Sequence, residues 1–306
     1  MRDGTSARPA RELTVVGEGF SFLEGPRWHD GRLWASDFFT RRVLAFDEDG
    51  GVETICELPD SMPSGLGWDR DGRLLISSML DRRLLRLEDD GTLAEVADLT
   101  GLTGWFANDM VVDDLGGAYV GNFGWNDEDP AVRSTRLVRV EPDGEMRVVA
   151  EDVVFPNGAA ISPDGGTLLL SETFAGRISA FDRAPDGALS DRRTWADFHP
   201  GGFPTTTDAC ASGVPLPDGL ALDAEGALWI GDAHGEGALR VAEGGEVLEV
   251  VPVGEGQTAF AVALGGADRR TLYLCAAQPY RVGDPATQHV ARLLSCRVDV
   301  PGAGRP

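Results

Sequence analysis

Five residues in this chain bring oxygen-bearing side chains to a shared local setting. Glu24 in FLEGPRW, Asn108 and Asp109 in FANDMVV, Asn157 in FPNGAAI and Asp218 in PLPDGLAL each stand at the head of a short apolar run. Carboxylate and amide oxygens are hard donors, suited to a divalent cation whose remaining positions are filled by water. Glu24 is the most informative of the five, because glutamate is a poor strand residue and is rarely buried without a partner. The alternative is a glutamate that ends a loop in water. N-G and D-G pairs are also common turn formers, and Asp or Asn can simply cap a strand, so no single motif carries the argument. Their shared register does.

The elements that must hold these residues are strands. Six stretches repeat one pattern: an alternating apolar run, a turn of the D-x-x-G type, then a second apolar run ending in small or polar residues. The copies begin GPRWHDGRLWASD at 25, SGLGWDRDGRLLISS at 64, NDMVVDDLGGAYVGN at 108, NGAAISPDGGTLLLSE at 157, DGLALDAEGALWIGD at 218 and FAVALGGADRRTLYLCA at 260. A third strand and a further hairpin follow most copies. Stranded repeats at intervals of roughly 40 to 60 residues predict an all-β fold, a six-bladed β-propeller with one blade per copy. A pair of β-sandwiches is the competing architecture, disfavoured by six similar units. ELTVV at 12–16 precedes the first unit without a partner there, so this N-terminal strand is expected to close the last blade and hide its edge. Residues 1–11 are read as a flexible leader and 12–306 as a single propeller domain.

In a propeller the innermost strand of each blade lines a central channel, and the residues just before it gather at one mouth. Positions far apart in sequence thus become neighbours. Carboxylates converging in a low-dielectric channel repel one another unless a cation lies among them. Glu24, Asn108, Asp109, Asn157 and Asp218 are therefore candidate oxygen donors to one divalent ion.

Composition narrows the function further. Of 306 residues, 42% are hydrophobic and 25% charged, as in ordinary soluble proteins, and 40 glycines suit many tight turns. A formal net charge of −23 opposes binding to nucleic acid or to an anionic membrane surface. Cys56, Cys210, Cys275 and Cys296 form no CxxC pair, which argues against a zinc knuckle and for scattered reduced thiols. MRDGTSARPARE has no apolar signal segment and no stretch is long enough to span a bilayer, so the expected location is cytoplasmic. There is no G-x-S-x-G, phosphate-binding glycine loop or HExxH. His29 is expected in a solvated turn, while His199 and His234 lie in segments that could reach a channel mouth. The connection WADFHPGGFPTTTDACASGVPLPDG is longer than the others and is a candidate substrate wall, with GLTGWFA at 101–107 facing it.

Taken together, FLEGPRW, ANDMVVD, FPNGAAISPDGGTLLLSETFAGRISAFD and PDGLALDAEGALWIGD resemble the regucalcin/gluconolactonase family of six-bladed propellers, over about residues 13 to 299. The resemblance implies a divalent ion in the channel held by Glu24, Asn157 and Asp218, with Asn108 contacting substrate and reaching the metal. Calcium is the first expectation, with zinc, manganese or magnesium as alternatives. It implies hydrolysis of a lactone or related cyclic ester, with Asp218 or a metal-bound water activating the attack. The alternatives are a phosphotriesterase-like hydrolase on the same site and a non-catalytic, metal-stabilised binding propeller. The implied partner is a small-molecule lactone or ester, bound by a monomer or small homo-oligomer. Where sugar-lactone-hydrolysing members carry an arginine two residues before the asparagine, this chain has Phe106. With Trp105 beside it and Trp125 downstream, Phe106 makes an apolar rim, a poor match for a bare polyhydroxy ring. Phe106 and Trp125 are the candidate substrate contacts.

Overall fold

The computed structural model describes residues 11–48, 50–126, 128–279 and 284–304. Among these, twenty-four strands form six antiparallel sheets of four. The innermost strands of blades 1 to 6 are Leu23–His29, Pro63–Trp68, Ala107–Val112, Pro156–Ile161, Pro217–Leu222 and Thr258–Gly265. Each packs against the next, and the sixth packs against the first, so the sheets close into a six-bladed propeller.

Closure comes from the two ends of the chain. Thr14–Phe20 is the outermost strand of blade 6 and pairs antiparallel with Ala291–Arg297, with Thr14 opposite Ser295 and Phe20 opposite Ala291. The outer strand expected from ELTVV thus forms, beginning two residues later and ending four later. Residues 1–10 of the expected leader lie outside the described residues. Arg11, counted with that leader, is held: its guanidinium pairs with Glu249 of blade 5 at 3.0 Å and with Asp299 at 3.2 Å.

The D-x-x-G turns behave as the sequence suggests. In blade 2, Asp69 Oδ1 accepts the backbone N–H groups of Asp71 and Arg73, both at 2.9 Å. Gly72 then closes the turn onto the Asp69 carbonyl at 3.1 Å, with a φ of 81° that a side chain would strain. Packing is between blades as much as within them. One apolar cluster joins Leu75 and Leu84 of blade 2 to Met110, Val120 and Val138 of blade 3; another joins Leu169 and Ile178 of blade 4 to Leu228 and Ile230 of blade 5. Each such buried side chain contributes about 1.5–3 kcal/mol relative to exposure.

Among the described residues no disulfide forms, and Cys275 and Cys296 are buried. No helix there is long and apolar enough to cross a membrane.

Candidate active site at the channel mouth

The strand register slips at the same place in every innermost strand: between Glu24 and Arg27, Pro63 and Leu66, Ala107 and Met110, Pro156 and Ala159, Pro217 and Leu220, and Ala259 and Ala261. Such bulges bend a strand and re-aim a side chain. Glu24 stands at the edge of the first, and Ser64, Asn108, Asn157, Asp218 and Phe260 lie inside the others; all six are buried. Ser64 Oγ lies 3.5 Å from Asn108 Oδ1, and the other five line one cavity of about 300 Å³.

The glycines beside them explain why E-G, N-G and D-G recur. These pairs are not hairpin turns but sit inside strands, where neighbouring blades crowd the axis. A Cβ on Gly25 would lie 2.7 Å from the Ser64 carbonyl, and one on Gly158 2.5 Å from that of Asp218. A Cβ on Gly219 would lie 2.6 Å from Ala261 Cβ. Blade 3 carries Asp109 in this place instead. Its Oδ1 accepts from Arg27 Nη2 at 2.8 Å, a buried ion pair that also ties Arg27 to the Pro26 and Met110 carbonyls.

The consequence is electrostatic. Arg27 is committed to Asp109, and among the described residues no ion pair reaches Glu24 or Asp218. Burial pushes the Glu24 carboxyl well above the usual carboxylate range, reinforced by Asp218 and Asp109; the Gly25 N–H and Arg27 oppose this only in part. Burial likewise raises Asp218, with Asp109 and Asp232 adding to it and a hydrogen bond from Asn157 opposing. Asp218 Oδ1 and Asn108 Nδ2 have no hydrogen-bond partner. Among the described residues no three His, Cys, Asp or Glu side chains cluster as a metal set. The candidate set is instead two carboxylates and two amides. These are hard oxygen donors, with excess negative charge and an unsatisfied carboxylate oxygen, and they fit a divalent cation.

Trp125 lines the cavity and Phe106 does not. The Phe106 ring meets Phe123 edge to face at 5.9 Å, and Phe123 is the one exposed to the cavity. Phe22, Phe155 and Leu216 also line it, unforeseen, although each stands two residues before a bulged residue, as Phe106 does. His234 lines the cavity as well. His199 stacks on Phe203 at 4.1 Å, and His29, expected in solvent, is half-buried and stacks on Trp68 at 3.8 Å.

The long connection contributes a wall. Thr205 caps the short helix Thr206–Ala211 by accepting the Asp208 N–H, and Thr206, Cys210 and Leu216 face the cavity. Its partner is the loop after blade 3's second strand rather than residues 101–107: Val132 N–H donates to Pro204 O at 3.0 Å and Thr206 N–H to Pro130 O at 2.8 Å. At the opposite end of the channel the C-terminal segment crosses between blades, with Ala303 N–H on Leu222 O and Gly302 N–H on Arg269 O.

Residues 22–278 match the protein family described as the SMP-30/gluconolactonase/LRE-like region. The chain belongs to this family. A pentonolactonase of Haloferax volcanii is 30% identical over 305 residues, covering 95% of each chain. A 6-deoxy-6-sulfogluconolactonase of Pseudomonas putida is 29% identical over 201 residues, 65% of this chain and 64% of that enzyme's length. Among solved structures, a calcium-binding protein, regucalcin, from Agrobacterium tumefaciens shares the fold with a TM-score of 0.77 at 22% identity, covering 97% of this chain and 96% of that one. The region matched to the SMP-30/gluconolactonase family includes all four candidate ligands and omits Thr14–Phe20 and Ala291–Arg297, the strands that close the ring.

Proposed function

We propose that this protein is a divalent-metal-dependent hydrolase of a lactone or related cyclic ester, working at the channel mouth. The observation that carries the reading is the pair of buried carboxylates, Glu24 and Asp218, with no counter-charge in a cavity large enough for a small molecule. Membership of a family whose relatives are named lactonases supports it.

Glu24, Asn108, Asn157 and Asp218 would hold the cation, calcium being the first candidate. When bound, it would supply Lewis acidity toward a carbonyl oxygen and stabilise developing negative charge. The chain's own groups have separable duties. Asp218, with Oδ1 unbonded, can accept a proton from the attacking water. Asn108, with Nδ2 unbonded, can donate to the substrate and fix its orientation. Asn157 is braced by its Nδ2 on Thr173 Oγ1 at 3.3 Å, and Thr173 in turn donates to the Pro217 carbonyl at 2.8 Å, so blades 4 and 5 are locked together beneath Asp218. Aromatic side chains dominate the apolar lining, and a low-dielectric surround strengthens polar contacts of this kind.

The test is a lactone panel read by acid release, with the protein stripped of metal and then resupplied with calcium, magnesium, manganese or zinc. Metal-dependent ring opening of at least one lactone is expected. No ring opening with any ion, on simple and substituted lactones alike, would sink the reading.

A further inference from the structure

The aromatic rings around the cavity form two walls. Phe22 and Phe38 of blade 1 and Phe260 of blade 6 make one, with Phe22 5.5 Å from Phe38 and 4.6 Å from Phe260. The other comes from blades 3 and 4. There Phe155 is the hub, 4.6 Å from Phe123, 4.8 Å from Phe174 and 5.9 Å from Trp125. In a six-membered ring, blades 6 and 1 lie across the axis from blades 3 and 4, so the walls face each other over the candidate ligands. All of these rings line the same cavity.

What is missing from the lining is equally specific. Among the described residues no arginine lines it, and the chain contains no lysine. The buried Arg27 is turned to Asp109 and borders the space at the opposite end of the channel instead. An anionic substituent such as a sulfonate or phosphate would therefore meet Glu24 and Asp218 without a lysine or arginine among the described lining residues to pair with. Two of the polar side chains that line the cavity are already engaged: Thr173 donates to Pro217 O and accepts from Asn157. A polyhydroxy ring would bury several hydroxyls here, each lowering affinity about tenfold when left without a partner. An apolar substituent slotted between facing rings gains about 10–100-fold from the same burial.

We infer that the substrate is an uncharged lactone carrying an aromatic or alkyl substituent, which lies between the two aromatic walls while the ring ester faces Asp218 and Asn108. The inference rests on the hydrolase reading for the ester and on the two walls for the substituent.

The experiment compares kcat/KM for dihydrocoumarin and δ-decalactone with that for D-glucono-δ-lactone, using the full chain supplied with each divalent ion in turn. Alongside it, tryptophan fluorescence is titrated with the same compounds on metal-free protein, with Trp125→Phe as the control that removes the reporting indole. The expected result is a preference of at least about 100-fold for the apolar lactones, and quenching by them that is lost in Trp125→Phe. Equal or better turnover of gluconolactone overturns the inference and leaves the hydrolase reading standing. If no lactone is hydrolysed but the apolar compounds quench and gluconolactone does not, the ligand class holds and the hydrolase reading falls. If nothing is hydrolysed and nothing quenches, the inference falls too. As a second readout, Phe174→Ala, a half-buried wall position, should cut the preference about tenfold, chiefly through KM; an unchanged preference removes that wall from recognition.

Discussion

Two sets of buried carboxylates in this molecule receive opposite treatment. At the blade edges, Glu172 is fully buried yet accepts from Arg177 through both oxygens at 3.0 and 2.9 Å, from Arg192 and Ser179, and from the Val154 N–H at 2.8 Å. Burial opposes its charge, but the Arg177 hydrogen bonds and charge, with Arg192 and Ser179, outweigh it and hold Glu172 below the usual carboxylate range. Asp113 is treated alike: against burial, Arg139 and Arg183 converge on its Oδ2 and keep its proton affinity low. At the channel mouth, Glu24 and Asp218 are as deeply buried and receive no such clasp, and their proton affinity rises. The chain has the means to neutralise buried acid and uses it in blades 3 and 4. The residue types are the same, so counter-charge alone separates scaffold from site. Where it is withheld, an external cation is the natural complement.

The largest expected consequence lies at the site. Asp218→Ala should lower kcat/KM by at least about 10²–10³-fold, the scale for losing one group that stabilises or drives the attack, with the melting temperature close to wild type. Asp218→Asn separates its duties, because an amide can still ligate but cannot take a proton. Metal uptake without turnover in that variant assigns the proton to Asp218, and near-normal turnover moves the base elsewhere. Full activity of Asp218→Ala would remove Asp218 from the chemistry altogether.

The scaffold set should respond the other way round. Arg139→Met removes one clasp of Asp113, leaving a buried charge with less compensation, and should cost about 3–5 kcal/mol by denaturant unfolding. Catalysis per folded molecule should be kept. If that variant instead lost activity at unchanged stability, the division between the two sets would be wrong.

A smaller effect measures the proposed cation itself. Calcium at about 100 times its dissociation constant should stabilise the protein by about 2.7 kcal/mol, read as a rise in melting temperature. Glu24→Gln, which keeps the shape and one oxygen donor, should shrink that rise. An ion that stabilises wild type and Glu24→Gln equally is bound somewhere else.

Much of this comparison was legible in the chain. The D-x-x-G turns repeat because hairpins need them, so six units, their inner strands and the pairing of residues near 12–16 with the C-terminus could be read from the sequence. Glu24, Asn108, Asn157 and Asp218 stood out as candidates because each stands at the same repeat position, and all four line one cavity. Two things were not legible. The glycines of EGP, PNG and PDG look like turn residues, and only the close approach of neighbouring blades, which would put a Cβ on Gly158 2.5 Å from the Asp218 carbonyl, gives their purpose. The cavity wall was misjudged at one ring: Phe106 and Phe123 touch, and which of them faces the cavity depends on how the two strand ends pack, which no residue pattern reports. The same limit hid Phe155 and Phe22, although their spacing before the site residues was there to be noticed.

The smallest predicted effect uses acid to probe the clasped set. A carboxyl whose folded affinity for protons is depressed contributes stability that is fully present above its unfolded value, and this is lost as pH falls through the folded value. For Glu172 the upper end of that window is the ordinary glutamate value of 4.5. Glu172→Gln has no such proton to gain, yet keeps the shape and one acceptor for Arg177. The stability difference between wild type and Glu172→Gln should therefore be constant near neutral pH and shrink as the solution is acidified below 4.5. Denaturant midpoints measured for both proteins across that range give the difference directly, and using the pair cancels the acid response of every other group. A difference that stays flat down to pH values where both proteins unfold would mean that the arginines do not hold Glu172 in its charged form. The contrast with Glu24 and Asp218 would then lose its clasped half.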